Sequence, residues 1–380
     1  QNYGDDSRSE VLTDINGNIY VATCTRSNNF PVTAGVVQSA LRGTQDAVLL
    51  KFTPNLGLTF ATLLGGGGDD AAYVLFIEDD NNILVAGGTA SNDFPGDKSG
   101  TVAPAYGGGI ADGFIARVNA NGTAILKSVY MGTSGSDQVY GIQKDRNGFV
   151  YVMGTSTGNF EIRNATFGQA GGKQFIAKLQ PDFSAYVYST VFGPPTTFPN
   201  ISPTAFQVDG NENVYVSGWG GQMGGVFPYP NSLTLNLPIT ADALYPTTDG
   251  KDFYFFVLER NAVSQLYGSF FGQQSPPNSG TPDHVDGGTS RFDPQGVLYQ
   301  AICANCSPGQ FPTTPGVVAP VKPAGATCNL AIVKIAFNLT SVAGGIKSAI
   351  DGVDGDTNAC APAIVNFRDT IAIAQTYQWS

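Results

Sequence analysis

The chain has few charged residues and no run of basic ones. Asp, Glu, Lys and Arg make up 13% of its 380 residues, about half of the usual share in globular proteins. The net charge is −11. Because no cluster of Lys and Arg is present, we expect no nucleic-acid partner. An acidic surface of this kind is compatible with cation binding or with simple solubility.

Long apolar runs, histidine and paired cysteines are also scarce. No run reaches the roughly 20 residues of a membrane-spanning helix, so we expect no membrane span in this chain. His284 is the one histidine, and the cysteines number five. Cys303 and Cys306 have the spacing of half a zinc site, but without a second such pair a structural zinc is not expected. In an oxidising compartment, a disulfide between Cys306 and Cys328 is favoured.

What the sequence does have is glycine, aromatic residues and a repeat. A segment that begins "DINGNIYVATC" at Asp14 recurs at wide spacing, as "EDDNNILVAGG" from Glu78, "DRNGFVYVMGT" from Asp145, "DGNENVYVSGW" from Asp209 and "DPQGVLYQAIC" from Asp293. We interpret it as a hairpin turn that enters a strand. Gly17 would supply a positive φ, and Asp14 would accept hydrogen bonds from the turn backbone.

Each copy belongs to a unit of four short strands rich in β-branched and aromatic residues. Tandem units of this kind predict an all-β fold, a β-propeller of four-stranded blades. The predicted units are about 1–64, 65–132, 133–193, 194–272 and 273–342, which together form the propeller domain 1–342. Either five blades close the ring, or further blades lie upstream. A parallel β-solenoid is the main alternative, although its coils are usually shorter.

Residues 343–380 have a different character. A Gly-rich linker leads into "APAIVNFRDT" and "AQTYQWS". These segments resemble the opening strands of a β-sandwich that the chain does not complete. We therefore expect a linker followed by a truncated second domain.

The repeat resembles a known family. "DINGNIYVATCTRSNNFPVTAGVVQ", "TQDAVLLKFTPNLGLTFATLLGGGGDD" and "ADGFIARVNANGTAILKSVYMGTSGSD" are similar to the SBBP β-propeller repeat of secreted bacterial proteins. The tail "CAPAIVNFRDT…TYQWS" is similar to the start of a PKD domain. The resemblance implies a large secreted or cell-surface protein of Bacteroidota, exported by type 9 secretion with a gliding-motility-type sorting domain. The family has no single assigned chemistry.

Three aspartates occupy equivalent positions at the entries of the first three units. Asp6 and Asp70 end the "GDD" of their units, and Asp137 ends "GSD". Equivalent positions in a propeller form a partial ring about its axis, and three carboxylates could hold Ca²⁺. The alternative, which we favour, is that each Asp caps its own turn. No other cofactor is expected.

Asp283, His284 and Asp286 are the most enzyme-like group. A histidine between two carboxylates could be a general base or a metal ligand. Ser290 and Thr289 have no nucleophile-elbow motif around them. The alternative is a polar blade-entry loop that replaces the "GDD".

Three further residues are interpreted as packing residues. Cys24 and Cys303 have the same offset from Tyr20 and Tyr299, which predicts matching buried positions in different blades. Trp219 could stack on a sugar, but packing at a blade interface is favoured.

The sequence therefore predicts a non-catalytic extracellular or cell-surface module for adhesion, matrix or filament structure. Its partner would be a protein or a glycan, or a second copy in self-assembly. The insertion in the fourth unit and the Phe-Pro loops are the expected contact surfaces. The alternative is a polysaccharide hydrolase or lyase that uses Asp283, His284 and Asp286.

Overall fold

The computed structural model describes ten segments of the chain: residues 8–221, 232–273, 283–285, 290–293, 296–304, 311–321, 329–337, 346–350, 353–354 and 365–369. These residues form β-strands, turns, loops and one short 3₁₀ turn, Arg260–Ala262. No helix in the described segments has the length and hydrophobicity to cross a membrane.

The strands form consecutive antiparallel sheets, which we call blades one to five. Blade one contains β1 Glu10–Thr13, β2 Ile19–Thr25, β3 Asp46–Phe52 and β4 Leu58–Leu64. Blade two contains β5 Asp70–Ile77, β6 Ile83–Thr89, β7 Asp112–Val118 and β8 Ile125–Met131. Blade three contains β9 Asp137–Lys144, β10 Val150–Ser156, β11 Gln174–Leu179 and β12 Tyr186–Phe192. Blade four contains β13 Ser202–Val208, β14 Val214–Trp219, β15 Phe253–Leu258 and β16 Gln265–Phe271.

Blade five has three described strands, β17 Ser290–Phe292, β18 Val297–Ala304 and β19 Asn329–Ala336. The first strands of all five blades line one central cavity. The chain is thus a five-bladed β-propeller, as the repeat predicts. The solenoid alternative is wrong, because neighbouring strands within every blade are antiparallel.

The repeated turn explains why each blade begins in the same way. Asp14 Oδ1 accepts hydrogen bonds from the backbone N–H groups of Asn16 and Asn18, both at 2.9 Å. Asp14 Oδ2 accepts the hydroxyl hydrogen of Tyr20 at 3.1 Å. Gly17 has φ +78°, a conformation in which glycine has no steric penalty. The predicted roles of Asp14 and Gly17 are therefore confirmed.

Apolar clusters hold successive blades together. One cluster lies between blades one and two, a second between two and three, a third between three and four, and a fourth between four and five. Burial of each large side chain in such a cluster contributes about 1.5–3 kcal/mol. Between blades five and one, Arg291 of β17 forms an ion pair with Glu10 of β1 at 3.7 Å.

After the propeller, β20 Ile346–Ile350, β21 Val353–Asp354 and β22 Val365–Asp369 form a small antiparallel sheet in the order β21-β20-β22. Within the described part of residues 343–380, this is the single sheet, so a two-sheet sandwich is not formed there. The segment "AQTYQWS" lies outside the described residues.

Candidate functional site

The central channel is the first place where the blades bring chemistry together. Its cavity is about 180 Å³. The first strands of blades two, three and four each contain a β-bulge, at Tyr73, Tyr140 and Thr204. A bulge re-aims a side chain, and all three residues line the channel. The rings of Tyr73 and Tyr140 stack there with centroids 5.3 Å apart.

Charged side chains from blade one enter the same channel. The guanidinium of Arg8 lies 4.4 Å from the ring centroid of Tyr140 and donates hydrogen bonds to Ser202 and Pro203 of blade four. Glu10 accepts a hydrogen bond from the backbone N–H of Leu75 at 2.7 Å, and burial raises its pKa. Arg8 and Glu10 therefore line part of the channel and link blade one to blades two, three and four.

Two of the three predicted aspartates, Asp70 and Asp137, lie at the starts of β5 and β9 and are buried. Asp70 Oδ2 accepts a hydrogen bond from the backbone N–H of Gly66 at 2.8 Å. Asp137 Oδ2 accepts one from Thr133 N at 2.7 Å. In both cases the aspartate caps the turn that leads into its strand, which is the interpretation that we favour from the sequence. Asp6 lies outside the described residues.

Each of these aspartates also meets a second polar side chain from the preceding blade. A Cβ atom placed on Gly65 would lie 2.7 Å from Asp46 Oδ1 and 2.7 Å from Asp70 Oδ2. The two carboxylates thus face each other across a glycine that leaves room for both. Asp252 and Asp283 flank Gly272 in the same way, at 2.2 and 3.0 Å from its virtual Cβ.

The same junction occurs twice more, once with different chemistry. Between blades two and three, Asp112 lies against Gly132, and the charge of Asp137 helps to raise its pKa. Between blades three and four, Gln174 Nε2 donates a hydrogen bond to Asn200 Oδ1 at 3.3 Å. An amide pair can form this bond directly, whereas two ionised carboxylates repel each other.

Asp46, Asp112 and Asp252 were not predicted as site residues from the sequence. The signal was present, because these residues open "DAVLL", "DGFIA" and "DFYFF". Asp46 and Asp112 are the first residues of β3 and β7, and Asp252 directly precedes β15. The sequence pattern does not show which side chain each aspartate contacts, because that side chain belongs to the next blade.

Burial dominates the protonation of the paired aspartates. It raises the pKa of Asp70 to about 7, with a smaller contribution from the charge of Asp46. Burial also raises the pKa of Asp112 to about 7 and raises that of Asp137. One oxygen of Asp70 and one of Asp112 are buried without a hydrogen-bond partner. Near neutral pH these two carboxyls are therefore partly protonated.

These pairs do not assemble into a larger metal-binding group. Among the described residues, no three His, Cys, Asp or Glu side chains are grouped so that they could hold a metal ion. Asp70 meets Asp46, and Asp137 meets Asp112, each pair at its own blade junction. The calcium ring of Asp6, Asp70 and Asp137 stays a prediction. Thermal unfolding in Ca²⁺ and in Mg²⁺ tests it, since a calcium ring requires a larger stabilisation by Ca²⁺.

Asp283 and His284 begin blade five. Asp283 Oδ2 accepts a hydrogen bond from Gln273 N at 2.7 Å, which matches the contacts of Asp70 and Asp137. The backbone of His284 pairs with that of Cys303, and its ring lies 5.4 Å from the ring of Trp219. Asp286 lies outside the described residues, so the catalytic group stays a prediction.

The remaining predicted positions are structural. Cys24 and Cys303 lie at matching positions of blades one and five, opposite Ala47 and Leu330, as predicted. Both are half-buried and not buried as expected. Trp219 is buried in the cluster between blades four and five, which confirms its packing role. Cys306 and Cys328 lie outside the described residues, so their disulfide stays a prediction.

Comparison with known proteins agrees with the fold. Residues 127–161 match the SBBP family, described as a beta-propeller repeat. This segment runs from β8 through β9 and β10 and the turn between them. The comparison with curated proteins gave no match.

Several solved structures are distantly similar to this chain. A Dyadobacter fermentans protein of unknown function is 11% identical, with a TM-score of 0.41, over 87% of this chain and 75% of that chain. A polysaccharide lyase, an ulvan lyase, is 12% identical, with a TM-score of 0.41, over 89% of this chain and 73% of that chain. Such likenesses carry no information about activity.

Proposed function

We propose that this chain is a non-catalytic interaction module of an extracellular or cell-surface protein. Its contact surface is one end of the propeller, where the loops between the second and third strands of the blades emerge. The observation that carries the proposal is the set of exposed apolar side chains on these loops. A glycan or protein partner fits such long, irregular loops on a rigid scaffold.

The exposed apolar residues of this surface come from three blades. They are Ile110 in blade two, Leu235, Ile239 and Leu244 in blade four, and Val317, Val318 and Val321 in blade five. We call them the loop surface. Exposed apolar residues on long loops are frequent in binding sites. Blades four and five contribute three residues each, and those of blade four lie in its long insertion.

A polar groove lies on the same end of the molecule. It has a volume of about 440 Å³ and lies where the turn into blade three meets the loop after β10. Thr133, Asn159, Glu161 and Arg163 line it. Hydroxyl, amide and charged groups of this kind suit a hydroxyl-rich ligand, so the groove supports the glycan form of the proposal.

The extracellular location is part of the proposal. The SBBP match of residues 127–161 and the low share of charged residues support it. A surface protein of Bacteroidota, exported by type 9 secretion and continuing into a PKD domain, is the full form of this proposal. A Cys306–Cys328 disulfide would fit that compartment.

An adhesion assay tests the loop surface. Beads coated with the protein are passed over a panel of immobilised bacterial and algal polysaccharides. We expect retention that the triple variant Leu235→Ser, Ile239→Ser and Leu244→Ser loses. The matched control is Leu56→Ser with Val263→Ser, two exposed apolar residues in turns at the opposite end. Equal retention of both variants, or none by the unchanged protein, would contradict the proposal.

The enzymatic alternative has its own test. A hydrolase or lyase that depends on His284 would release soluble sugar from a polysaccharide, and His284→Ala would abolish this activity. The non-catalytic proposal expects no release by either protein. Release by the unchanged protein alone would replace our proposal with the enzymatic one.

A further inference from the structure

The central channel brings two arginines together in an otherwise acidic molecule. Arg8 enters the channel just before β1, and Arg291 enters it from β17 of blade five. The protein as a whole carries a net charge of −11. Two positive charges that line one cavity of about 180 Å³ therefore stand out against the rest of the molecule. A cleft that concentrates charge of one sign attracts ligands of the opposite sign.

The described contacts of Arg8 are with neutral groups. Its guanidinium donates hydrogen bonds to the Ser202 hydroxyl and the Pro203 carbonyl, and it lies 4.4 Å from the ring centroid of Tyr140. These contacts orient the guanidinium and do not compensate its charge. Arginine has five N–H donors, so an arginine held in this way can bind an anion and keep its present contacts.

Glu10 brings one negative charge against the two arginines. Its Oε1 lies 3.7 Å from Arg291 Nη2, which is longer than the roughly 2.7–2.9 Å of a charge-assisted hydrogen bond. Its Oε2 accepts a hydrogen bond from the backbone N–H of Leu75 at 2.7 Å. Burial raises the pKa of Glu10, which favours its neutral form. The channel therefore keeps a net positive charge.

The rest of the lining determines the kind of anion. The bulges at Tyr73 and Tyr140 aim both rings into the channel. The apolar part of the wall includes Ile142, Phe206 and Phe292. Side chains of this kind favour contact with the carbon body of a ligand. A cavity of about 150 Å³ holds one benzene molecule, so the 180 Å³ of this channel suits one small ring or a short chain.

We propose that the central channel binds a small monocarboxylate with an apolar or aromatic body. The carboxylate lies between the guanidinium groups of Arg8 and Arg291, and the body packs on Tyr73 and the apolar part of the wall. Phosphate is disfavoured, because Glu10 repels two negative charges more strongly than one. This inference concerns the channel and is independent of the loop surface.

Saturation-transfer NMR with the full chain and sodium benzoate at neutral pH tests this site. We expect saturable binding of benzoate. Benzamide has the same shape without the charge and should bind about tenfold more weakly or less, because it lacks the charge-assisted hydrogen bonds. Inorganic phosphate at equal concentration should not displace benzoate. The proposal is overturned if benzoate shows no saturable binding, if benzamide binds equally well, or if phosphate displaces benzoate.

Two variants with opposite effects on charge locate the ligand in the channel. Arg291→Gln removes a positive charge and should weaken benzoate binding about tenfold or more. Glu10→Gln keeps an acceptor oxygen for the N–H of Leu75 but removes the negative charge, so it should strengthen binding several-fold. Damage to the channel would weaken binding and would not strengthen it, so the second variant separates a charge effect from a loss of structure.

The matched control is Arg163→Gln, a partly exposed arginine that pairs with Glu161 outside the channel. It should bind benzoate as the unchanged protein does, and circular dichroism verifies that all three variants are folded. Unchanged affinity in Arg291→Gln, no gain in Glu10→Gln, or an equal loss in Arg163→Gln would place benzoate elsewhere and overturn the proposal.

Discussion

At the scale of single residues, the most informative groups are the aspartates buried in pairs where two blades meet. A surface carboxylate is ionised at neutral pH without cost. Asp70 and Asp112 instead lie where burial opposes the charged form, and each has a second carboxylate close by. Where blades three and four meet, the equivalent position holds two uncharged amide side chains, Gln174 and Asn200. The junction therefore requires a polar pair, and three of the four described junctions use acids.

This arrangement predicts an unusual dependence of stability on pH. The pKa values of Asp70 and Asp112 are about 7 in the folded protein and about 4 in the unfolded chain. Between these values the folded state binds more protons, so their contribution to stability is complete below about pH 4 and is lost as the pH rises through about 7. We expect the free energy of unfolding to fall between pH 5 and pH 8, as measured by urea denaturation.

Replacement of Asp70 and Asp112 by asparagine tests whether these two carboxyls cause the pH dependence. Asp70→Asn with Asp112→Asn keeps an acceptor oxygen but removes both titrations, so the decline above pH 5 should flatten. Asp182→Asn is the control, because hydrogen bonds from Ser184 lower the pKa of this exposed carboxyl, which titrates below that window. A decline of unchanged slope in the double variant would contradict this assignment.

Glycine at the junction is a second prediction at the residue scale. A Cβ atom on Gly132 would lie 2.3 Å from Asp112 Cγ, and Asp112 is held by the backbone N–H of Gly107. We expect Gly132→Ala to destabilise the protein by about 1–3 kcal/mol, measured as a shift in the urea midpoint. Gly210→Ala, where nothing lies within 4 Å, should change stability by about 0.5 kcal/mol or less. Equal effects would show that the junction is not tightly packed.

At the scale of elements, the turn between the first two strands of each blade is the unit that the sequence repeats. Asp209 shows its full form. Its Oδ1 accepts hydrogen bonds from the backbone N–H groups of Asn211 and Asn213, and its Oδ2 accepts from the Asn213 side chain and the Tyr215 hydroxyl. One side chain thus closes the turn and anchors the strand that follows.

Removal of this side chain should weaken blade four. Asp209→Ala leaves buried donors without an acceptor, so we expect a loss of about 1–3 kcal/mol in urea unfolding. Asp209→Asn retains one acceptor oxygen and should lose less. A change in Asp209→Ala no larger than that in Asp209→Asn would mean that water satisfies the turn instead.

Sequence reasoning reached the turn and the blade because both are local. Asp14, Gly17 and Tyr20 lie within seven residues, so their spacing predicts their contacts. The pair of Asp46 and Asp70 is different, since it depends on how one sheet packs on the next. The exposure of Ile332 was also invisible, because "NLAIVKIAF" has the same apolar pattern as the covered strand "DAVLLKFTP". The apolar pattern of a strand predicts which of its faces is apolar. Whether that face is buried depends on how the neighbouring blade packs.

At the scale of the whole molecule, five similar blades are held by four apolar clusters. Between the remaining two faces, the Glu10–Arg291 pair is near the channel, while Val11 and Ile332 are exposed. The junction of blades five and one is therefore less completely packed than the other four. The proposed binding of a partner depends on the loop surface and not on this junction.

Amide hydrogen exchange followed by mass spectrometry tests the central claim about the fold most directly, which is that the five blade junctions are packed unequally. We predict that β19 exchanges much faster than β3, β7, β11 and β15, the matching strands that a next blade covers. Protection of β19 equal to that of β15 would show that the face of blade five is covered as well as the others, and would contradict the account.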